Sequence, residues 1–252
     1  MRWWPWLLAV LVVVAYLPSL SGGFLNWDDP WLIQDSVTLR SPSLQSLRTI
    51  FFRLDFASRM DLGAEYLPVR DVTVWLDYRI HAASPQWMRV ENLALWLVAV
   101  LALRVALRAS LRDRWMAEVA TLWFALHPVH VESVAWLAGR KDVLAMAAIA
   151  LALSSHARAR ESRARWLVPL FVLIALLSKS MSVVALPLLF AQDLLRKRRF
   201  DPWIYGPTTL ITVAAFLLHR HVGSVVGMTD PILGGSHLVA MMTMGAVWPR
   251  YV

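Results

Sequence analysis

Apolar runs of about bilayer length, several of them closed by a cluster of arginines, constrain this chain more than any other feature. Trp3 to Leu20 is the first run, interrupted only by Pro5 and Pro18. Its eighteen residues would cover roughly 27 Å as a helix at about 1.5 Å each, close to the hydrocarbon thickness. Val90 to Leu107, Trp115 to Leu126 and Val143 to Ser155 follow. Trp166 to Leu195 is thirty residues long, too many for one crossing, and Ser178-Lys179-Ser180 with Pro187 interrupts it. It is expected to form two short or tilted spans that meet at Lys179. Ile204 to Leu218 gives a seventh span, and His237 begins an eighth. The composition fits a polytopic membrane protein, with 58% hydrophobic and 17% charged residues. The expected fold is therefore an all-α transmembrane helical bundle of about eight spans. Ser19-Leu20-Ser21 offers a cleavage site for a signal peptide. The single preceding Arg and the belt of Trp3, Trp4 and Trp6 favour a retained span instead.

Charge orients the bundle. Arg104, Arg108, Arg112 and Arg114 close the second span. Arg158, Arg160, Arg163 and Arg165 follow the fourth, and Arg196, Lys197, Arg198 and Arg199 follow the sixth. These three groups of four hold twelve of the 25 Lys and Arg residues, all on one face of the eight-span arrangement. The positive-inside rule makes that face and the amino terminus cytoplasmic. It explains the net charge of +8 without a nucleic-acid partner. The first outer loop, residues 21–89, then lies opposite, together with His127–Asp142, Lys179 and the Gly223–Ser236 loop. Ser43–Phe52 and Val69–Ile80, just after Pro68, are expected to be short amphipathic helices within that first loop. The absence of cysteine rules out disulfides and thiolate metal sites. The chain ends at Val252 in or just after an apolar run, so residues 1–252 are expected to be part of a longer membrane protein.

Polar side chains gather on the outer face. His127 to Asp142, HPVHVESVAWLAGRKD, carries two His, a Glu, an Arg, a Lys and an Asp. It is either a solvated connection or a binding loop at the membrane surface. Arg140 and Lys141, with Lys179, are cations on the face where the positive-inside rule disfavours them. Arg supplies a planar fork and Lys a point charge, both suited to phosphate. Contacts with lipid headgroups, or with Glu132 and Asp142, would account for them equally. His127, His130 and Glu132 are candidates for hydrogen bonding. Their spacing is not that of a zinc helix and no third strong ligand follows, so no metal is expected. Asn26-Trp27-Asp28-Asp29 comes directly after the first span, and either Asp28 or Asp29 could serve as a general base for an acceptor hydroxyl.

The order of these elements carries a family likeness. An Asp pair after span one is followed by Tyr66-Leu67-Pro68-Val69-Arg70, then HPVHVESVAWLAGRKDVL, then Ser178-Lys179 with Leu186-Pro187. This series resembles the membrane half of the transmembrane-and-tetratricopeptide O-mannosyltransferase family, and within it the bacterial branch. That family has the GT-C glycosyltransferase fold. Arg89 stands where the family tends to carry His ahead of Asn92, and Lys179-Ser180 stands where eukaryotic members often have Lys-Glu. The resemblance implies a transferase at the extracytoplasmic face of a bacterial inner membrane. Its donor would be a polyprenyl-phosphate sugar, with no other cofactor, and its acceptor a protein or glycan hydroxyl. By position the base would be Asp28 or Asp29, and the donor phosphate would meet Arg140, Lys141 and Lys179. Arg70, His127, His130 and Glu132 would support them. A transporter or flippase for a lipid-linked sugar, or a non-catalytic scaffold, is the rival class. A transporter would place ionisable residues near the middle of the bilayer, whereas most acids here fall in loops on one face.

Overall fold

A computed structural model describes residues 3–159, 163–228 and 235–247, and among them every regular element is helical. Arg160 of the second basic cluster and residues 229–234 of the Gly-rich loop lie outside the described residues. Helix α1 (Trp4–Tyr16) accepts Pro5 in its first turn, where an amide would be unbonded in any case, and continues as a 3-10 turn to Ser21. A helix lies within each of the seven apolar runs. Trp4–Ser21 and α6 (Pro85–Ser110) are long and apolar enough to cross a membrane by length and composition. The others fall short for local reasons. Helix α7 (Arg114–Leu126) has thirteen residues, and α9 (Arg140–Arg158) carries charge in both end turns. The run from Trp166 breaks as the sequence indicates, into α10 (Leu167–Leu176) and, after a 3-10 turn at Ser180–Val184, α11 (Ala185–Leu195). Helix α12 (Pro202–Val225) has 24 residues and α13 (His237–Val247) has eleven.

The spine is the α6–α9 pair. Ala145, Ala147, Ala148, Ala150 and Ala152 of α9 are buried, as are Ala99, Ala102 and Ala106 of α6. Small side chains on both faces let the two backbones approach closely, the packing mode that works without a hydrophobic drive between helices. Leu8, Val12 and Tyr16 of α1 share one core cluster with Leu93, Trp96 and Val100 of α6. On the other flank of α9, Val172 and Leu176 of α10 cluster with Leu189 of α11 and Ala215 of α12. A buried ion pair ties α6 to α7: Arg104 donates to both oxygens of the fully buried Glu118 at 2.7 and 2.6 Å, with Arg108 3.4 Å from the same carboxylate.

A cap of short helices covers one end of this body. It contains α2 (Val37–Arg40), α3 (Leu44–Phe52), α4 (Phe56–Asp61) and α5 (Pro68–His81). Ser43 starts α3 through a reciprocal capping box with Ser46. Pro68 opens α5, as the sequence indicates. Leu39, Ile50, Leu62 and Val74 form the cap's own core, which continues into Met88, Leu137 and Ala138 of the body. The cap hinges onto α6 through Ala82 and Ala83, both left-handed at φ 53°. That conformation disfavours a Cβ-bearing residue by roughly 1–2 kcal/mol. The turn is held by the Ala83 amide on the Asp77 carbonyl and the Ser84 amide on His81 Nδ1.

Candidate active site

The Asp28-Asp29 pair divides into two environments. Asp29 is fully buried, and each of its oxygens accepts a backbone amide: Oδ2 from Leu25 at 2.8 Å and Oδ1 from Ala138 at 3.0 Å. It clips the connection that follows α1 onto the HPVH…GRKD stretch. Asp28 is half-buried and has no side-chain partner among the described residues. Of the two, Asp28 retains oxygens able to take a proton from an outside hydroxyl, while those of Asp29 are occupied.

Beside this pair lies a cavity of about 430 Å³, lined by Leu25, Trp27, Arg89, Val131, Glu132 and Trp136 among others. The indole of Trp27 faces that of Trp136 at 6.1 Å between ring centroids. Arg89 closes the floor by donating to the carbonyls of Gly22, Gly23 and Ala135. A Cβ on Gly22 would come within 2.7 Å of that guanidinium, so glycine is what lets the loop lie there. The Glu132 carboxylate is exposed and has no bonded partner among the described residues. The polar stretch is more ordered than a loop: a 3-10 turn at Pro128–His130 leads into α8 (Val131–Ala135). Gly139 then turns the chain into α9, at a point where a Cβ would crowd the carbonyls of Ser133 and Trp136 at 3.0 and 3.1 Å. His127 caps the 3-10 turn, its Nδ1 accepting the Val129 amide at 3.2 Å. His130 packs between Phe124 and Trp96, at 4.4 and 4.9 Å. Burial, and secondarily His127, hold its imidazole below the ordinary pKa. The two histidines thus shape the loop and meet no ligand atoms in common with Glu132.

The expected phosphate cations are distributed unevenly. Arg140 is 1% exposed. It donates to Asn92 Oδ1 at 2.8 Å, to the Met88 carbonyl, to Glu91 at 2.9 Å and to Asp77. Its fork is fully engaged within the protein, locking α9 to α5 and α6. Lys141 reaches Glu65 at 2.7 Å and Lys179 pairs with Asp142; all four are partly exposed. Arg70 is buried, bonded to Asp71 and to the Leu62 carbonyl, and lies 3.5 Å from Glu65. The Val69 amide bonds the Leu177 carbonyl at 3.1 Å, which brings Arg70 and Lys179 to the same end of the bundle. Three cations singled out in the sequence, Arg70, Lys141 and Lys179, therefore stand in one belt with Glu65, Asp71 and Asp142.

The sequence reading passed over Asp77 and Glu91, the carboxylates that hold Arg140. Arg70, Val74 and Asp77 sit four and three residues apart, one buried face of α5, and two charges on an otherwise apolar stripe were the available signal. Asp77 is pushed up to about 8 by burial and by the Glu91 carboxylate, against the pull of Arg140. Asp77, His81 and Glu91 offer ligand atoms within 4.8 Å of one another. As a cation site this trio would have to displace Arg140, which already bonds both carboxylates.

In sequence the chain is similar to a group of curated proteins, the protein O-mannosyl-transferases. Protein O-mannosyl-transferase F38B6.6 of Caenorhabditis elegans is 29% identical over 197 residues, 76% of this chain and 28% of the relative. Protein O-mannosyl-transferase TMTC1 of Homo sapiens is 31% identical over 157 residues, 60% of this chain and 18% of its own length. Protein O-mannosyl-transferase Tmtc1 of Drosophila melanogaster is 30% identical over 193 residues, 74% of this chain and 22% of its own. The chain thus spans between 18% and 28% of these relatives. No protein-family model and no solved structure matches it.

Proposed function

We propose that this chain is the membrane part of a glycosyltransferase of the transmembrane-and-tetratricopeptide O-mannosyltransferase family, bacterial branch, with a GT-C-like bundle crossing the membrane eight times. It moves a sugar from a polyprenyl phosphate to a protein hydroxyl at the extracytoplasmic face. The similarity to protein O-mannosyl-transferases supports the reaction class. The observation that carries the site is the split of the Asp pair, one carboxylate fixed by two amides and its neighbour without a partner.

In this reading Asp28 accepts the proton of the acceptor hydroxyl as that oxygen attacks the sugar carbon, and the carbon–phosphate oxygen bond breaks with its electrons on the phosphate. Lys141 and Lys179 are half-exposed and paired with carboxylates, so they can exchange Glu65 and Asp142 for the departing phosphate. Arg140 acts as a positioning residue, anchoring the first turn of α9 from which Lys141 projects. Trp27, Trp136 and Glu132 line the space for the acceptor.

The test compares two conservative substitutions in the full-length protein, supplied with polyprenyl-phosphate mannose and read by mass spectrometry of the product. Asp28→Asn should lower turnover by roughly 10²-fold or more, the scale of a lost general base, with the melting temperature unchanged. Asp29→Asn presents an amide NH₂ to one of its two donors, so it should lower the melting temperature. Full turnover by Asp28→Asn would remove the base from this position.

A further inference from the structure

The cavity beside the Asp pair has an uneven balance of hydrogen-bonding groups. Its hydroxyl and guanidinium donors are spent inside the protein. Ser19 donates to the Tyr16 carbonyl at 2.7 Å, Ser21 to the Pro18 carbonyl at 3.1 Å, and Arg89 to the carbonyls of Gly22, Gly23 and Ala135. Trp136 lines the same space with its indole N–H buried. The Glu132 carboxylate is exposed there and makes no hydrogen bond or ion pair among the described residues.

What the cavity offers a ligand is therefore one uncompensated negative charge and a pair of indoles. Trp27 and Trp136 stand 6.1 Å apart between ring centroids, tilted at 44°. The face of an aromatic ring carries negative charge density and attracts a cation within about 6 Å. Ligand classes meet such a wall differently. An anion would be repelled by Glu132 and would find the hydroxyl and guanidinium donors occupied. A sugar needs donors as well as acceptors, and it would leave the carboxylate uncompensated. A guanidinium or ammonium group is all donor, so Glu132, the serine oxygens and the indoles suit it together. Leu25 and Val131 line the cavity as well and can cover the apolar stem of a long basic side chain.

We infer that this cavity seats the cationic side chain, Arg or Lys, of an acceptor polypeptide, with Glu132 as its counter-ion and Trp27 and Trp136 beside its charge. That the polypeptide is an acceptor rests on the transferase reading above; that the group is cationic rests on the lining alone. Trp27 directly precedes Asp28, so the docked cation lies within a few residues of the hydroxyl that Asp28 would deprotonate. Glu132 is then a specificity residue, selecting hydroxyls that have a basic neighbour.

Peptide binding in the absence of any sugar donor tests this. The full chain in phosphatidylcholine nanodiscs is titrated, by fluorescence anisotropy, with short labelled peptides that carry one Thr and one variable residue. The variable residue is Arg, Lys, Gln or Glu, placed at each flanking position in turn. In the wild type the best-placed Arg or Lys peptide should bind about five- to tenfold more tightly than its Gln counterpart, the scale of a cation–π contact with an exposed ion pair. Glu132→Gln should abolish that preference, and Glu132→Lys should turn it toward the Glu peptide. Trp27→Leu should weaken the Arg and Lys peptides alone, with Trp27→Phe recovering part of the loss. Both side chains are exposed, so an unchanged melting temperature checks that the variants fold. No preference for a cation at any position, or one that survives Glu132→Lys, overturns the inference. Displacement of the Arg peptide by free mannose as readily as by N-acetylargininamide assigns the cavity to a sugar and overturns it too. If the Arg peptides bind as expected while polyprenyl-phosphate mannose gives no product, the cation site stands and the transferase reading falls.

Discussion

The cap and the helical body both bury arginines, and they use them differently. In the body, Arg104 meets one carboxylate, Glu118, inside an apolar surround of α6 and α7. Where the cap meets the body, Arg140 at the start of α9 meets two acids, an amide oxygen and a carbonyl from α5 and α6, and Arg89 of α6 meets the carbonyls of Gly22, Gly23 and Ala135. The body would pack without its ion pair, because alanines and leucines already fill the interface. The cap's loops have few apolar contacts with the body beyond Met88, Leu137 and Ala138, so their position depends on hydrogen bonds to charged groups. Body stability is thus set by packing, and site geometry by electrostatics.

The sharpest way to break this contrast is Arg140→Ala. It leaves the buried carboxyl of Asp77 without its donor, and a buried polar group left unsatisfied costs about 1–3 kcal/mol. The loss should appear first in the cap, as proteolysis between residues 22 and 89 or loss of amide-exchange protection there, with α9 and α10 still protected. Equal loss in both regions would mean that the cap and body are one cooperative unit.

A milder probe is pH. Asp77 titrates at about 8 in the folded protein and about 4 when unfolded. A raised acid binds its proton more tightly when folded. Its stabilising contribution is therefore complete below about pH 4 and is lost as pH rises toward 8. The slope is at most about 1.4 kcal/mol per pH unit. Between pH 5 and 8 the protection of α5 should fall while that of the α6–α9 pair stays level. Rising cap protection over this window would contradict the assignment.

The smallest effect is expected in the body. Arg104→Leu/Glu118→Leu replaces a buried pair with apolar residues, a change that is often neutral or stabilising. Thermal unfolding in detergent should shift by no more than a few degrees, whereas the corresponding apolar exchange of Arg140 with Asp77 should release the cap. A large loss from the Leu pair would place the two ion pairs in one class.

The sequence made the helices legible and the site only in part. Ser43 and Pro68 announced α3 and α5 because caps act locally, and Ser178-Lys179-Ser180 announced the break before α11. The start of α9 was harder to see. Arg140 to Asp142 looked like the end of a loop. They form the first turn of a helix, where Asp142 suits the N-terminal dipole and Arg140 finds Asp77, 63 residues away. Asp28 and Asp29 were indistinguishable, because what separates them is the amide of Ala138. A backbone amide leaves no mark in the residue order. Lys141 and Lys179 stood out as cations out of place, while their partners Glu65 and Asp142 were ordinary loop acids until the chain brought them near.

The bond between Asp29 and Ala138 spans 109 positions, and that number has a meaning for biogenesis. At about 5–20 residues per second of synthesis, roughly 5–20 s separate the carboxylate from the amide it needs. Until then Asp29 has only its local bond to the Leu25 amide, and the loop behind it lacks its anchor to the bundle. That second anchor comes only when the segment leading into α9 arrives. The loop is completed from the middle of the chain backwards, and a delay in making that segment would leave the earlier helices formed well before the Asp28–Asp29 loop was anchored.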